Sequence, residues 1–122
     1  MKEKKRVVIA GCRDYTNYKE AECFVDICLR DISKEYDIVI VSGGARGADS
    51  LGERYAKERG LELECYPAHW KLLGKRAGIV RNKQMAEIGD FVICFWDGES
   101  KGTKTMIEFA QELQKPLKIK MI

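Results

Sequence analysis

Apolar positions along the chain fall into blocks whose period alternates between two and 3.6 residues. Residues 6–11, Arg-Val-Val-Ile-Ala-Gly, form an uninterrupted apolar run closed by glycine, the pattern of a central parallel strand covered on both faces. Residues 18–34 then place Ala21, Phe24, Val25, Cys28, Leu29 and Ile32 on one stripe, which predicts a helix. Residues 37–42 read as a second buried strand ending in Gly43-Gly44. A second helix follows over 47–59, with Gly60 placed as its C-terminal cap. Residues 61–66 alternate apolar and polar, as an edge strand does, and Pro67 stops them; 68–75 read as a loop carrying Trp70. A third helix is predicted over 77–88, a fourth buried strand over 90–95 and a fourth helix over 102–114. Pro116 ends that helix, and 117–122 close the chain as an alternating edge strand.

Strand–helix units joined by short connections demand crossovers and a mainly parallel sheet. The expected fold class is α/β: a Rossmann-like three-layer sandwich with five strands and helices on both faces, formed as one domain over residues 1–122. Ligands of such sheets sit beyond the carboxyl ends of the strands, where strand order reverses. The loops after strands one, two and four should therefore open on one edge.

The loop after the second strand, Ser42-Gly-Gly-Ala-Arg-Gly-Ala-Asp49, carries the most chemistry. Glycines at 43, 44 and 47 bare the backbone where a strand turns into a helix, so amides there could meet an anion at a helix N-terminus. Arg46 adds a planar guanidinium suited to phosphate, and Asp49 could cap amides or accept from ribose hydroxyls. A tight turn with a solvated arginine is the alternative. The loop is neither a GxGxxG nor a Walker A motif. In the loop after strand four, Trp96, Asp97, Gly102 and Thr103 suggest a second cradle, with Ser100, Lys101 and Lys104 as further donors; an ordinary capped helix is the alternative. After strand one, Gly11, Arg13 and Asp14 offer either ligand contacts or a simple ion pair. Tyr15, Tyr18, Trp70 and Trp96 lie in or beside loops and could stack on a base or pack in the core. Arg81 and Asn82 fall on the third helix, where a solvated face is the usual outcome.

Composition narrows the setting. Apolar residues make up 45% and charged residues 34%, enough for a core and a polar surface. The net charge of +3 is too small to indicate a duplex-binding surface, although basic residues gather between Lys71 and Lys83. Cysteines at 12, 23, 28, 65 and 94 form no CxxC pair, and His69 is the sole histidine, so neither a metal site nor a cofactor is expected. With no apolar run of membrane-spanning length and no signal-peptide core, the expected location is cytoplasmic, without membrane contact.

The loop blocks together, with Pro67-Ala-His-Trp70, Gly74-Lys-Arg-Ala-Gly78 and Phe95-Trp-Asp-Gly98, resemble the YspA-like branch of the SLOG superfamily over nearly the whole chain. The resemblance implies a Rossmann-like fold and a nucleotide-related ligand. The residues expected from the loops to hold it are Gly11, Arg13, Asp14, Ser42, Gly43, Gly44, Arg46, Gly47 and Asp49 together with Trp70, Arg81, Asn82, Trp96, Asp97, Gly102, Thr103 and Lys104. Residues 42–49 are similar to the glycine-rich loop of the Smf/DprA proteins, which bind single-stranded DNA. Residues 81–90 are similar in spacing to the LOG phosphoribohydrolases, which often pair, so a homodimer is compatible with the resemblance. Those enzymes carry Arg-Lys and a GGxGTxxE block; here Asn82 replaces the lysine and Met106 the glutamate. Glu108 lies two residues on, about 200° around a helix, and points elsewhere. The leading expectation is a binding or sensor domain for a nucleotide-type ligand. The alternatives are a hydrolase or transferase acting at a glycosidic or phosphate bond, and single-strand nucleic-acid binding.

Overall fold

The computed structural model describes residues 2–122; Met1 lies outside the described residues. Five strands, β1 (Lys4–Gly11), β2 (Asp37–Ser42), β3 (Glu62–Cys65), β4 (Phe91–Trp96) and β5 (Leu117–Met121), form one sheet in the order β3-β2-β1-β4-β5. Every neighbouring pair is parallel, with Val7 opposite Ile40 and Gly11 opposite Phe95. The expected mainly parallel sheet is thus wholly parallel.

Alternate residues of the central strand point to opposite layers, which is why β1 reads as a continuous apolar run. Val7 and Ile9 join a cluster with Val25 of α1 (Tyr18–Leu29) and Tyr55 of α3 (Ala48–Glu58). Val8 and Ala10 join the opposite cluster, with Met85 of α5 (Ala77–Ile88) and Met106 of α6 (Lys101–Glu112). Phe95 of β4 is fully buried among the first set, where Tyr15 stacks on it at 5.0 Å. Burial of one such side chain stabilises the fold by about 1.5–3 kcal/mol.

The stripe read as one helix over 18–34 divides. α1 ends at Leu29, and a separate turn, α2 (Ile32–Glu35), follows. Ser33 Oγ donates to the Arg30 carbonyl at 3.2 Å, taking an oxygen that a continuous helix would have given to a backbone amide. The expected loop over 68–75 contains a short helix, α4 (Trp70–Leu73), and a 3₁₀ turn (Gly74–Arg76). The His69 carbonyl accepts from the amides of both Leu72 and Leu73, closing the turn locally.

Candidate functional site

The chain leaves β1 toward β2 on one side of the sheet and returns to β4 on the other, so strand order reverses between β1 and β4. At the carboxyl ends of these two strands lies an open cavity of 510 Å³. Its size falls within the range of small-ligand sites. Gly11 to Asp14 form one wall, Asp97 to Thr103 the second, and Arg81, Asn82 and Met85 of α5 the third. A second cavity of 480 Å³ adjoins it, bounded by Gly43, Gly44, Pro67, Ala68 and Trp70. Arg13, Ala45, Arg46 and Arg81 line both.

The loop after β2 is built from the inside. Ser42 Oγ donates to Glu53 Oε2 at 2.7 Å and accepts from the Gly44 amide at 3.1 Å. Asp49 Oδ2 accepts from the Ala45 amide at 3.2 Å, and the Cys12 carbonyl accepts from the Ala48 amide at 3.1 Å. This corrects the expected amide cradle at Gly44: that N–H is consumed within the loop, because a buried serine needs a donor as much as the amide needs an acceptor. Gly47, at φ +77°, is packed against the first loop; a Cβ there would collide with the carbonyl oxygens of both Cys12 and Arg13.

Arg81, expected on a solvated helix face, is only 9% exposed. Its Nη1 donates to the Gly43 carbonyl at 2.6 Å and its Nε to Asn82 Oδ1 at 2.9 Å. Asn82 in turn donates through Nδ2 to the Gly102 carbonyl at 3.2 Å, tying α5 to the start of α6. Asp49, 5% exposed, lies across Gly43 from Arg81: a Cβ on Gly43 would meet Arg81 Nη1 at 2.5 Å and Asp49 Oδ2 at 2.9 Å. Among the described residues neither forms an ion pair within 4.0 Å. Burial therefore dominates both: it pushes the Asp49 carboxyl up to about 6, against the pull of the Ala45 amide and Arg81, and lowers the Arg81 guanidinium from its ordinary value. The consequence is a polar centre held in low dielectric without direct charge neutralisation.

The second wall is a turn closed by a carboxylate. Asp97 Oδ1 accepts from the amides of Glu99 and Ser100, both at 2.8 Å, and these bonds hold its carboxyl below the usual range. Ser100 caps α6, accepting from the Thr103 amide at 3.4 Å, while its hydroxyl pairs with Thr103 Oγ1 at 3.1 Å. The Trp96 indole donates to the Ser100 carbonyl at 3.1 Å, which makes it a brace for the turn. Tyr15 and Tyr18 are core residues, 8% exposed each, and neither lines a cavity wall. Burial also pushes the Cys12 thiol up, leaving it a neutral wall residue.

Of the residues singled out in the sequence, Gly11, Arg13, Asp14, Arg46, Asp49 and Arg81 line the larger cavity, as do Asn82, Asp97, Gly102 and Thr103. Gly43, Gly44 and Trp70 line the smaller one. Ser42, Gly47, Trp96 and Lys104 line neither; the first three shape the loops, and Lys104 is exposed on α6. Sequence reasoning missed Cys12, Ala45, Glu99, Met85 and Met106 as wall residues. Cys12, Ala45 and Glu99 sat inside loops already chosen and could have been included; Met85 carried only a core signal, and Met106 only the position of the LOG glutamate. Arg46 and Asp14 approach at 3.5 Å but are 75% and 94% exposed, a weak surface pair. Among the described residues no three of His, Cys, Asp and Glu come together as a metal site.

The chain is similar over 120 residues to the Gene 61 protein of Mycobacterium phage D29, with 33% identity covering 93% of this chain and 94% of the phage protein. Its fold matches the DNA processing protein A of Helicobacter pylori, a single-stranded-DNA binder, at TM-score 0.66 and 24% identity. It also matches that of Streptococcus pneumoniae at 0.69 and 21%. The matches cover 94% and 96% of this chain but only 64% and 50% of those proteins. The structural-genomics target TM1055 matches at 0.64 with 19% identity, covering 96% of this chain and 72% of that one. Likenesses this distant in sequence establish the Rossmann-like fold. A family model matches residues 5–72, more than half of the sequence, and with the loops and the parallel sheet in place the chain belongs to the YspA, cpYpsA-related SLOG family.

Proposed function

We propose that the chain is a binding or sensor domain for a nucleotide-type, phosphate-bearing ligand, seated at the carboxyl rim between β1 and β4. One observation carries the reading: guanidinium groups from three separate elements, Arg13 after β1, Arg46 before α3 and Arg81 on α5, line one open space. Guanidinium suits phosphate because its fork of donors matches two oxygens at once. The N-terminus of α6 opens beside it, adding the positive end of a 12-residue helix. Asp49, Asp97, Ser100 and Thr103 supply acceptors and hydroxyls for the sugar.

This reading moves the phosphate from the amides of the Gly43–Gly47 loop to the arginines that surround them. Met106 is fully buried in the cavity wall where the LOG pattern has its glutamate, and a thioether transfers no proton, so binding is favoured over hydrolysis. All five cysteines are free thiols, which fits a reducing, cytoplasmic setting; no helix among the described residues is long and apolar enough to cross a membrane. The test is thermal denaturation across a panel of nucleotides, comparing the parent with an Arg13→Ala/Arg46→Ala variant; both side chains are exposed, so the fold should persist. A nucleotide should raise the parent's melting temperature and leave the variant's unmoved. Equal stabilisation of both proteins would overturn the placement. Release of free base by the parent, followed by chromatography and lost in Asp49→Asn, would instead favour an enzyme.

A second reading has one observation behind it. Trp70 is 51% exposed in a stretch whose Lys71, Lys75 and Arg76 are exposed as well, an aromatic interleaved with cations of the kind that holds single-stranded nucleic acid. Gel shifts with single-stranded oligonucleotides at low and moderate salt distinguish it, since backbone binding weakens steeply with salt.

A further inference from the structure

Residues 65–86 hold five cations and no carboxylate, although the whole chain is only +3. Arg81 turns inward; the other four, Lys71, Lys75, Arg76 and Lys83, are exposed. Among the described residues none of these four forms an ion pair within 4.0 Å, whereas Lys4, Arg54 and Arg59 each hold a carboxylate. The same stretch exposes apolar side chains. Leu72 of α4 is 82% exposed, and Ile79 and Val80 at the start of α5 are half-exposed. The Trp70 ring edge lies over Gly78, 3.4 Å from where a Cβ there would stand, which seats α4 on the first turn of α5.

Apolar surface gains by leaving water, and a cluster of it on a folded domain marks a place of contact. Single-stranded nucleic acid is held by stacking its bases on aromatic rings, and Leu72, Ile79 and Val80 offer no ring. They match other apolar side chains, so a protein fits the surface better than a nucleic acid does. A second copy meeting this face with its own would set cations against cations. We propose that the exposed face of α4 and the first turns of α5 is a docking surface for an acidic amphipathic helix of another protein. The apolar stripe of that helix would lie on Trp70, Leu72, Ile79 and Val80, with its carboxylates toward the flanking cations. Of these residues only Trp70 also borders a cavity, so the surface stands or falls independently of the nucleotide reading.

Selection of peptides from a displayed library of random helical sequences, with the full chain as bait, tests it. The selected peptides should carry net negative charge and apolar residues at every third or fourth position. Their affinity, read by fluorescence anisotropy, should fall at least about tenfold in Leu72→Ser/Ile79→Ser and in Lys71→Glu/Lys83→Glu, and should weaken with salt. All four side chains are exposed, so both variants should keep the parental melting temperature. Neutral or basic peptides, peptides that bind both variants as tightly as the parent, or a selection that yields none would overturn the proposal. Two other results in place of an acidic peptide would overturn it as well. Binding of single-stranded oligothymidylate that is lost in Leu72→Ser/Ile79→Ser would give the face to nucleic acid. Concentration-dependent pairing in sedimentation, lost in the same variant, would give it to a second copy.

Discussion

Arg81 Nη1 donates to the carbonyl of Gly43 at 2.6 Å, joining a helix of one sheet face to the loop that ends β2, 38 residues earlier in the chain. The bond is made in a buried place, where an unmet guanidinium donor or carbonyl would cost about 1–3 kcal/mol. It holds the guanidinium at the boundary of two cavities, and it is possible only because residue 43 has no side chain.

Gly43→Ala tests that dependence. The new methyl would overlap Arg81 Nη1 and Asp49 Oδ2, so one of the two must leave its place. Overpacking of this kind costs about 1–3 kcal/mol, read as a lower urea midpoint, and nucleotide-dependent stabilisation should be lost with it. An alanine variant with parental stability and binding would mean that the Gly43–Arg81 contact is dispensable.

Arg81→Lys keeps the charge but not the fork. A single ammonium cannot serve the Gly43 carbonyl and Asn82 Oδ1 along the two directions that Nη1 and Nε take. We expect a stability loss of about 1–3 kcal/mol and weaker phosphate binding, measured by denaturation and titration side by side. Full function in the lysine variant would show that charge alone matters here.

The Asp49 carboxyl makes stability depend on pH in a direction opposite to that of most carboxylates. Its folded value is raised to about 6 from an ordinary 3.8, so through that window the folded chain holds a proton that the unfolded chain has lost. Stability therefore falls as pH rises from about 4 to about 6, and above that the burial cost is fully present, on the order of 3 kcal/mol. Asp49→Asn should match the parent near pH 4 and grow more stable than it toward pH 8, in urea unfolding at each pH. A variant less stable than the parent at pH 8 would show that attraction to Arg81 outweighs burial.

Ser100→Ala removes the side-chain cap of α6 and the partner of Thr103 Oγ1. Loss of such a cap costs about 1 kcal/mol. The same change loosens the turn that Asp97 and Trp96 hold, so ligand affinity should fall with it. Parental thermal stability in this variant would place the capping bond among those that contribute nothing measurable.

Most of the fold was legible because apolar periodicity is a local property. The runs at 6–11 and 37–42 could be nothing but strands buried on both faces, and the helix expected over 77–88 is the one observed. Ends were most legible where a glycine or proline marks them; the break after Leu29 accompanies one serine hydroxyl competing for a carbonyl, which no stripe of apolar residues reports.

The sequence by itself determined that strands and helices alternate, that the sheet is mainly parallel and that polar loops with glycines follow β1, β2 and β4. It also placed arginines in or near those loops. Only the tertiary structure decided which donors remain for a ligand. The amides of Gly44 and Ala45 are consumed by Ser42 and Asp49, while Arg81, on a helix that spacing alone leaves facing water, turns inward to meet Gly43. Periodicity says which residues share a face of a helix. The direction of that face is set by packing against residues far away in the chain, and for Arg81 the partner is a carbonyl that a sequence does not display.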